Sequence, residues 1–152
     1  MRHAYAGAAV HVDASPERVF ALVTDWPRHD EWMFLTTARA TGEDTVEAFT
    51  GIGRLGFLDT MTITRWNPPS EIRMRHTGTL IRGTGVIRVR PDGDGSRVVW
   101  AEELELPFGR AGRALWPLAR PVVNALARHS LRTLAALLSQ PPGNGAPARN
   151  VS

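Results

Sequence analysis

Along the first dozen residues apolar and polar positions alternate, with Ala8, Val10 and Val12 on one side and Ala9 and His11 on the other. A period of two predicts a half-buried strand. Ser15-Pro16-Glu17 then reads as a helix start, with Ser15 as N-cap, Pro16 at the first helical position and Glu17 in the first turn. Val19, Phe20 and Val23 share one face of a short helix ending near Asp25. Trp26-Pro27 breaks it, and Arg28 to Met33 predicts a second short helix or turn. Six strand-like runs follow: Phe34–Ala40, Thr45–Ile52, Phe57–Trp66, Glu71–Gly78, Leu80–Arg90 and Arg97–Leu106. The turns Asn67-Pro68-Pro69-Ser70 and Pro91 to Ser96 are the clearest punctuation between them. Past Pro107-Phe108-Gly109 the period changes to 3.6, and a long helix is predicted from about Ala111 to Ser139. Residues 1–140 are expected to form one domain, and the Pro- and Gly-rich stretch Pro141 to Ser152 a disordered tail. Consecutive strands make an antiparallel meander, and a single amphipathic helix is available to cover one face of it.

The same alternation singles out three ionisable residues. Asp59 is in phase with Phe57, Met61 and Ile63; His76 with Ile72 and Met74; Glu102 with Val98, Trp100, Leu104 and Leu106. Each occupies a position where the pattern calls for an apolar side chain. Counting through the 67–70 turn puts His76 opposite Met61, with Asp59 a diagonal neighbour. Even closure of the 91–96 turn puts Gly85 opposite Glu102. Gly83 and Gly85 both face inward on this reading, leaving space that side chains would otherwise fill. A histidine beside a carboxylate can serve as an acid/base pair, since the carboxylate orients the ring and supports its charged form. The competing reading is a polar network that satisfies itself. On the long helix Leu115, Leu118, Val122, Leu126, Leu134 and Leu137 centre an apolar stripe, opposite Arg128 and Arg132. Ala119, Ser130 and Thr133 fall inside the stripe and keep its middle small.

Composition removes several chemistries. The 152 residues contain no cysteine, and all 18 basic residues are arginine. Disulfides, thiolate metal sites, cysteine nucleophiles and Schiff-base lysines are therefore excluded. Five scattered histidines give no metal-ligand spacing, so no metal and no cofactor is expected. A formal charge of +3 is too small for a nucleic-acid footprint unless it clusters. Gly51 to Gly56 lies between strands and lacks the βαβ context of a dinucleotide site. The 115–138 stretch is interrupted by Arg120, Arg128 and Arg132, so no integral membrane association is expected, and the protein is read as cytoplasmic.

The order of elements resembles the helix-grip fold of the START-like, polyketide cyclase-like (SRPBCC) superfamily. The resemblance is carried by Val10 to Trp26 (VHVDASPERVFALVTDW), by Trp32, by the Trp66-Asn67-Pro68-Pro69 turn and by the C-terminal helix. It implies an α+β fold in which a curved antiparallel sheet of about seven strands wraps around the long helix, with two short helices after the first strand. It also implies a cavity for a hydrophobic or amphiphilic small molecule, such as a lipid or polyketide, which the protein would bind and carry. Trp32, Phe34, Phe57, Met61, Met74, Gly85, Trp100, Trp116, Leu126 and Ser130 are the expected ligand contacts. An alternative is an enzyme of the polyketide cyclase or aromatase type using His76, Asp59 and Glu102. A further alternative is a protein- or RNA-interaction module using an outer face of Arg73, Arg75, Arg82, Arg88 and Arg90. The chain is expected to be a monomer or homodimer.

Overall fold

In a computed structural model, which describes residues 3–140, the alternating runs form seven strands and the 3.6-period segments two α-helices. The strands are β1 (His3–Val12), β2 (Thr36–Ala40), β3 (Thr45–Ile52), β4 (Leu55–Asn67), β5 (Glu71–Thr77), β6 (Arg82–Asp92) and β7 (Gly95–Glu105). The helices are α1 (Pro16–Val23) and α2 (Gly109–Leu138), with a 3-10 helix at Trp26–Glu31. The expected tail lies outside the described residues.

All seven strands join one antiparallel sheet in the order β1-β7-β6-β5-β4-β3-β2. From β2 to β7 each strand pairs with the next in sequence, as a meander does. β1 closes the far edge against β7 because the α1 segment carries the chain across the sheet. Ser15 caps α1 as its sequence predicts, its Oγ accepting the Arg18 backbone N–H at 3.3 Å. Val19, Phe20, Leu22 and Val23 are buried against Ile72, Val89 and Val98 of the sheet and Leu131, Leu134 and Leu138 of α2. Full burial of Leu131 and Leu134 contributes roughly 1.5–3 kcal/mol each.

Helix α2 is where the expectation needs correcting. Its buried face is Ala127, Ser130, Leu131, Leu134 and Leu138. Leu115, Leu118 and Val122, expected at the centre of the stripe, are exposed, Leu118 by 74%. Ala119 is exposed as well. The stripe averages over a helix whose two halves meet different surroundings. The second half packs on the sheet. The first half, interrupted by Pro117 and Pro121, lies along the edge strand β1, with Trp116 and Pro117 beside Ala4 and Tyr5, and turns Leu115, Leu118 and Val122 to solvent.

Two further corrections concern the sheet. Trp66, which an even count along the strand puts out of phase with Phe57, Met61 and Ile63 and so outward, pairs with inward-facing Ile72 and meets Phe20 edge-on at 5.3 Å. A bulge between Ile63 and Arg65 inserts one residue and reverses the phase of β4 beyond it. Gly83 opens no cavity. It sits at φ +126°, and a Cβ there would meet the Glu103 carbonyl oxygen at 2.0 Å. Its glycine answers a backbone approach, not a need for space.

Candidate functional site

Between the concave face of the sheet and α2 lies a cavity of about 340 Å³, toward the low end of the roughly 300–1,000 Å³ spanned by small-molecule sites. Its walls are overwhelmingly apolar. Of the ten residues singled out as ligand contacts, the cavity brings together Trp32, Phe34, Phe57, Met61, Met74, Gly85, Trp100, Leu126 and Ser130. Trp116 lies apart, in a shallow surface groove with Tyr5, Leu106 and Arg113. It does so because the first half of α2 runs beside the edge strand β1, away from the cavity. Ser130, buried on α2, accepts the Phe34 backbone N–H at 3.1 Å and so pins the segment entering β2 to the helix.

Set into this apolar wall is one cluster of charge. Met61 pairs with His76 across β4 and β5, and Gly85 pairs with Glu102 across β6 and β7. Both registers match the sequence expectation. They aim three ionisable side chains from three strands at one point. The His76 Nδ1–H donates to Asp59 Oδ2 at 2.8 Å, and its Nε2–H donates to Glu102 Oε2 at 2.9 Å. Trp100 Nε1–H donates to the other Glu102 oxygen at 2.6 Å. Gly85 makes this possible: a Cβ there would stand 2.8 Å from Glu102 Oε1 and 2.9 Å from Oε2. The bare backbone of β6 is the shelf on which the carboxylate rests.

The electrostatics follow from that geometry. Burial opposes charge on His76, but hydrogen bonds to Asp59 and Glu102, reinforced by their negative charges, override it and push the imidazole pKa up to about 10. His76 is therefore an imidazolium at neutral pH, with both N–H groups engaged. This differs from a two-membered acid/base pair, in which one ring nitrogen would be left to take a proton. The three groups lie together in contact with an apolar space. Among the described residues, no group of three or more His, Asp and Glu side chains is arranged to hold a metal ion.

The opposite wall holds a feature that alternation does not show. Trp26, His29 and Trp32 stack along the 3-10 helix, with ring centroids 5.1 and 5.0 Å apart, and Trp100 meets Trp32 edge-on at 6.4 Å. Spacing of three residues is what brings side chains into line when a helix has three residues per turn. That spacing was the available signal. His29 is buried, and desolvation pulls its pKa down, so it is neutral, with Nδ1–H donating to the Asp25 carbonyl at 3.1 Å. Trp32 is 2% exposed, and its indole N–H has no partner among the described residues.

On the outer face, Arg73 and Arg88 bind Glu71 at 3.2 and 2.8 Å, and Arg82 lies 3.8 Å from Glu105. Much of the expected arginine face is thus neutralised in place. No helix among the described residues is long and apolar enough to cross a membrane.

A curved seven-stranded sheet gripping a C-terminal helix, with an apolar cavity between them, defines a START-like helix-grip domain. The chain belongs to the family described as polyketide cyclase / dehydrase and lipid transport, whose profile it matches over residues 6–139. Solved structures with the same fold include a protein from Thermus thermophilus, at 18% identity and TM-score 0.74, covering 90% of this chain and 97% of that one. A START superfamily protein from Mycobacterium smegmatis matches at 13% identity and TM-score 0.72, over 89% and 97% of the two chains. The di-domain ARO/CYC StfQ from the steffimycin biosynthetic pathway matches at 12% identity and TM-score 0.71, over 90% of this chain and 51% of that one. No curated protein matches the sequence.

Proposed function

We propose that the protein binds one compact hydrophobic or amphiphilic molecule, a lipid or a polyketide, between the sheet and α2. The observation that carries this reading is the cavity itself. An apolar space of about 340 Å³ is left open where a core of this size would ordinarily close. A polar end of the ligand is accommodated at the Asp59–His76–Glu102 cluster. Since both His76 N–H groups are engaged, the carboxylate lone pairs not bonded to the ring or to Trp100 are the groups offered to the ligand. They accept hydrogen bonds, so a hydroxyl or phenol on an otherwise apolar skeleton is the complementary chemistry.

Native mass spectrometry and organic extraction of the purified protein test this reading. A discrete co-purifying compound, or a thermal shift with acyl-chain or polycyclic phenol probes, is expected. Ala127→Phe, which fills the cavity from α2, should abolish either signal. Absence of any compound and of any shift, or an unchanged signal in Ala127→Phe, overturns it.

A second reading, turnover of a polyketide-like chain, draws on one observation: the three ionisable groups stand together inside the apolar wall. In that reading His76 holds and charges the cluster, and a carboxylate oxygen is the proton acceptor. His76→Gln should then abolish turnover of a linear polyketide substrate, while a pure carrier would change only in affinity.

A further inference from the structure

Among the described residues, the large exposed apolar side chains lie mostly toward one end. In the meander, the starts of β1, β2, β4 and β6 and the ends of β3, β5 and β7 share one edge of the sheet, and α2 begins there. Ile52 and Leu55 stand at the β3–β4 hairpin tip, the latter 84% exposed. Leu80 lies between β5 and β6, Phe34 and Leu35 precede β2, and Phe108 begins α2 at 79% exposure. Leu115, Leu118 and Val122 are exposed on the first half of α2. Among the described residues, Trp66 is the one large exposed hydrophobic at the opposite end. Phe34 and Leu126 both line the cavity and are exposed, at 42% and 40%, so the cavity opens within this rim.

Charge is distributed in the same sense. Arg54 is at the hairpin tip, and Arg110, Arg113 and Arg120 lie on the first half of α2. No acidic residue follows Glu105 in the sequence. The carboxylates ending β7 are already engaged, Glu103 with His3 and Tyr5, Glu105 with Arg82. Asp13, Glu17, Glu43, Asp44, Asp92 and Asp94 are all at the other end; Asp30 and Glu31, on the 3-10 helix leading to Phe34, are the exceptions, and Glu31 is paired with Arg28.

From this we infer that the cavity-mouth end docks on an anionic lipid bilayer, with the β3–β4 tip and the exposed leucines of α2 entering the interface and the arginines meeting lipid phosphates. Exposed apolar side chains gathered around one opening are the composition of a surface that meets another apolar surface. An apolar helix face on an arginine-rich segment without carboxylates has the composition of an interfacial helix. The positive end supplies the complementary charge. This goes beyond ligand binding and does not depend on it, because the rim is built whether or not the cavity is filled.

Co-sedimentation with vesicles of phosphatidylglycerol and phosphatidylcholine, against pure phosphatidylcholine, tests the inference. The protein should bind the anionic vesicles, more weakly as salt rises. Leu118→Asp/Val122→Asp should weaken binding at least tenfold with the melting temperature unchanged, since both side chains are exposed. Leu55→Asp, on a separate element, should act the same way. Arg54→Gln and Arg110→Gln should each cost about fivefold. Ala127→Phe should bind vesicles like the unaltered protein, which separates this result from failure of the ligand reading. Failure to bind anionic vesicles, or full binding by both acidic variants, overturns the inference. So does light scattering that shows a dimer dissolved by Leu118→Asp/Val122→Asp, because a second copy then covers the face.

Discussion

Replacing His76 by glutamine removes the one positive charge between Asp59 and Glu102 while keeping a side chain able to hydrogen-bond. Two carboxylates are left facing each other in an apolar wall. Breaking a buried ion pair from one side costs about 3–5 kcal/mol. Linkage gives the same scale independently. Folding raises the imidazole pKa from 6.5 to about 10, and at about 1.4 kcal/mol per unit this is worth about 4–5 kcal/mol. Because the folded value lies above the unfolded one, the stabilisation is complete below about pH 6.5, declines between there and about pH 10, and is gone above. Urea unfolding across that window is the assay. The unaltered protein should lose stability by about 1.4 kcal/mol per pH unit relative to His76→Gln, so the gap between them closes by roughly 3 kcal/mol from pH 7 to pH 9. Parallel pH profiles for the two proteins would refute the reasoning. So would a His76 ring signal that titrates near 6.5 in the folded state.

Gly85→Val should destabilise by about 1–3 kcal/mol and bring the His76 titration down toward neutrality, because the new side chain displaces Glu102 from its shelf; thermal unfolding and ring titration by NMR check the two effects. Leu131→Ala should cost about 2–5 kcal/mol, whereas Leu118→Ala should fall within about 0.5 kcal/mol of the unaltered protein, since the first side chain is fully buried and the second exposed. Equal losses in denaturant midpoint would mean that Leu118 is covered in solution.

The strands were legible because each has one face on the core, and burial of one face forces a period of two. The register between β4 and β5 was legible for a less direct reason. The turn is one residue shorter than Asn67–Ser70 suggests, with Asn67 opposite Glu71. The bulge between Ile63 and Arg65 gives that residue back, restoring Met61 to His76. Two offsets cancel above the bulge, where the site is, and fail to cancel below it, where Trp66 turns toward Phe20. The α2 stripe misled for a different reason. Period 3.6 records which side chains are apolar, not what they touch, and here half of the stripe faces away from the core. The Trp26–His29–Trp32 stack was missed because neither a period of two nor one of 3.6 describes a 3-10 helix.

Three ionisable residues in phase with a buried face identify a cluster, but they do not determine its protonation, and its chemistry turns on that. If Glu102 could not reach the ring, His76 and Asp59 would form a pair with one imidazole nitrogen open, and a proton could be taken there. Glu102 does reach it, and the reason lies on the neighbouring strand, where Gly85 has no Cβ to keep the carboxylate away. With both N–H groups held, His76 has no lone pair to offer at neutral pH. Its two N–H groups are instead what ties Asp59 and Glu102 together beside an apolar space. The absence of one methyl group on β6 thus converts a candidate base into a fixed cation, and leaves carboxylate oxygens as the groups through which the cavity can recognise or act on what it holds.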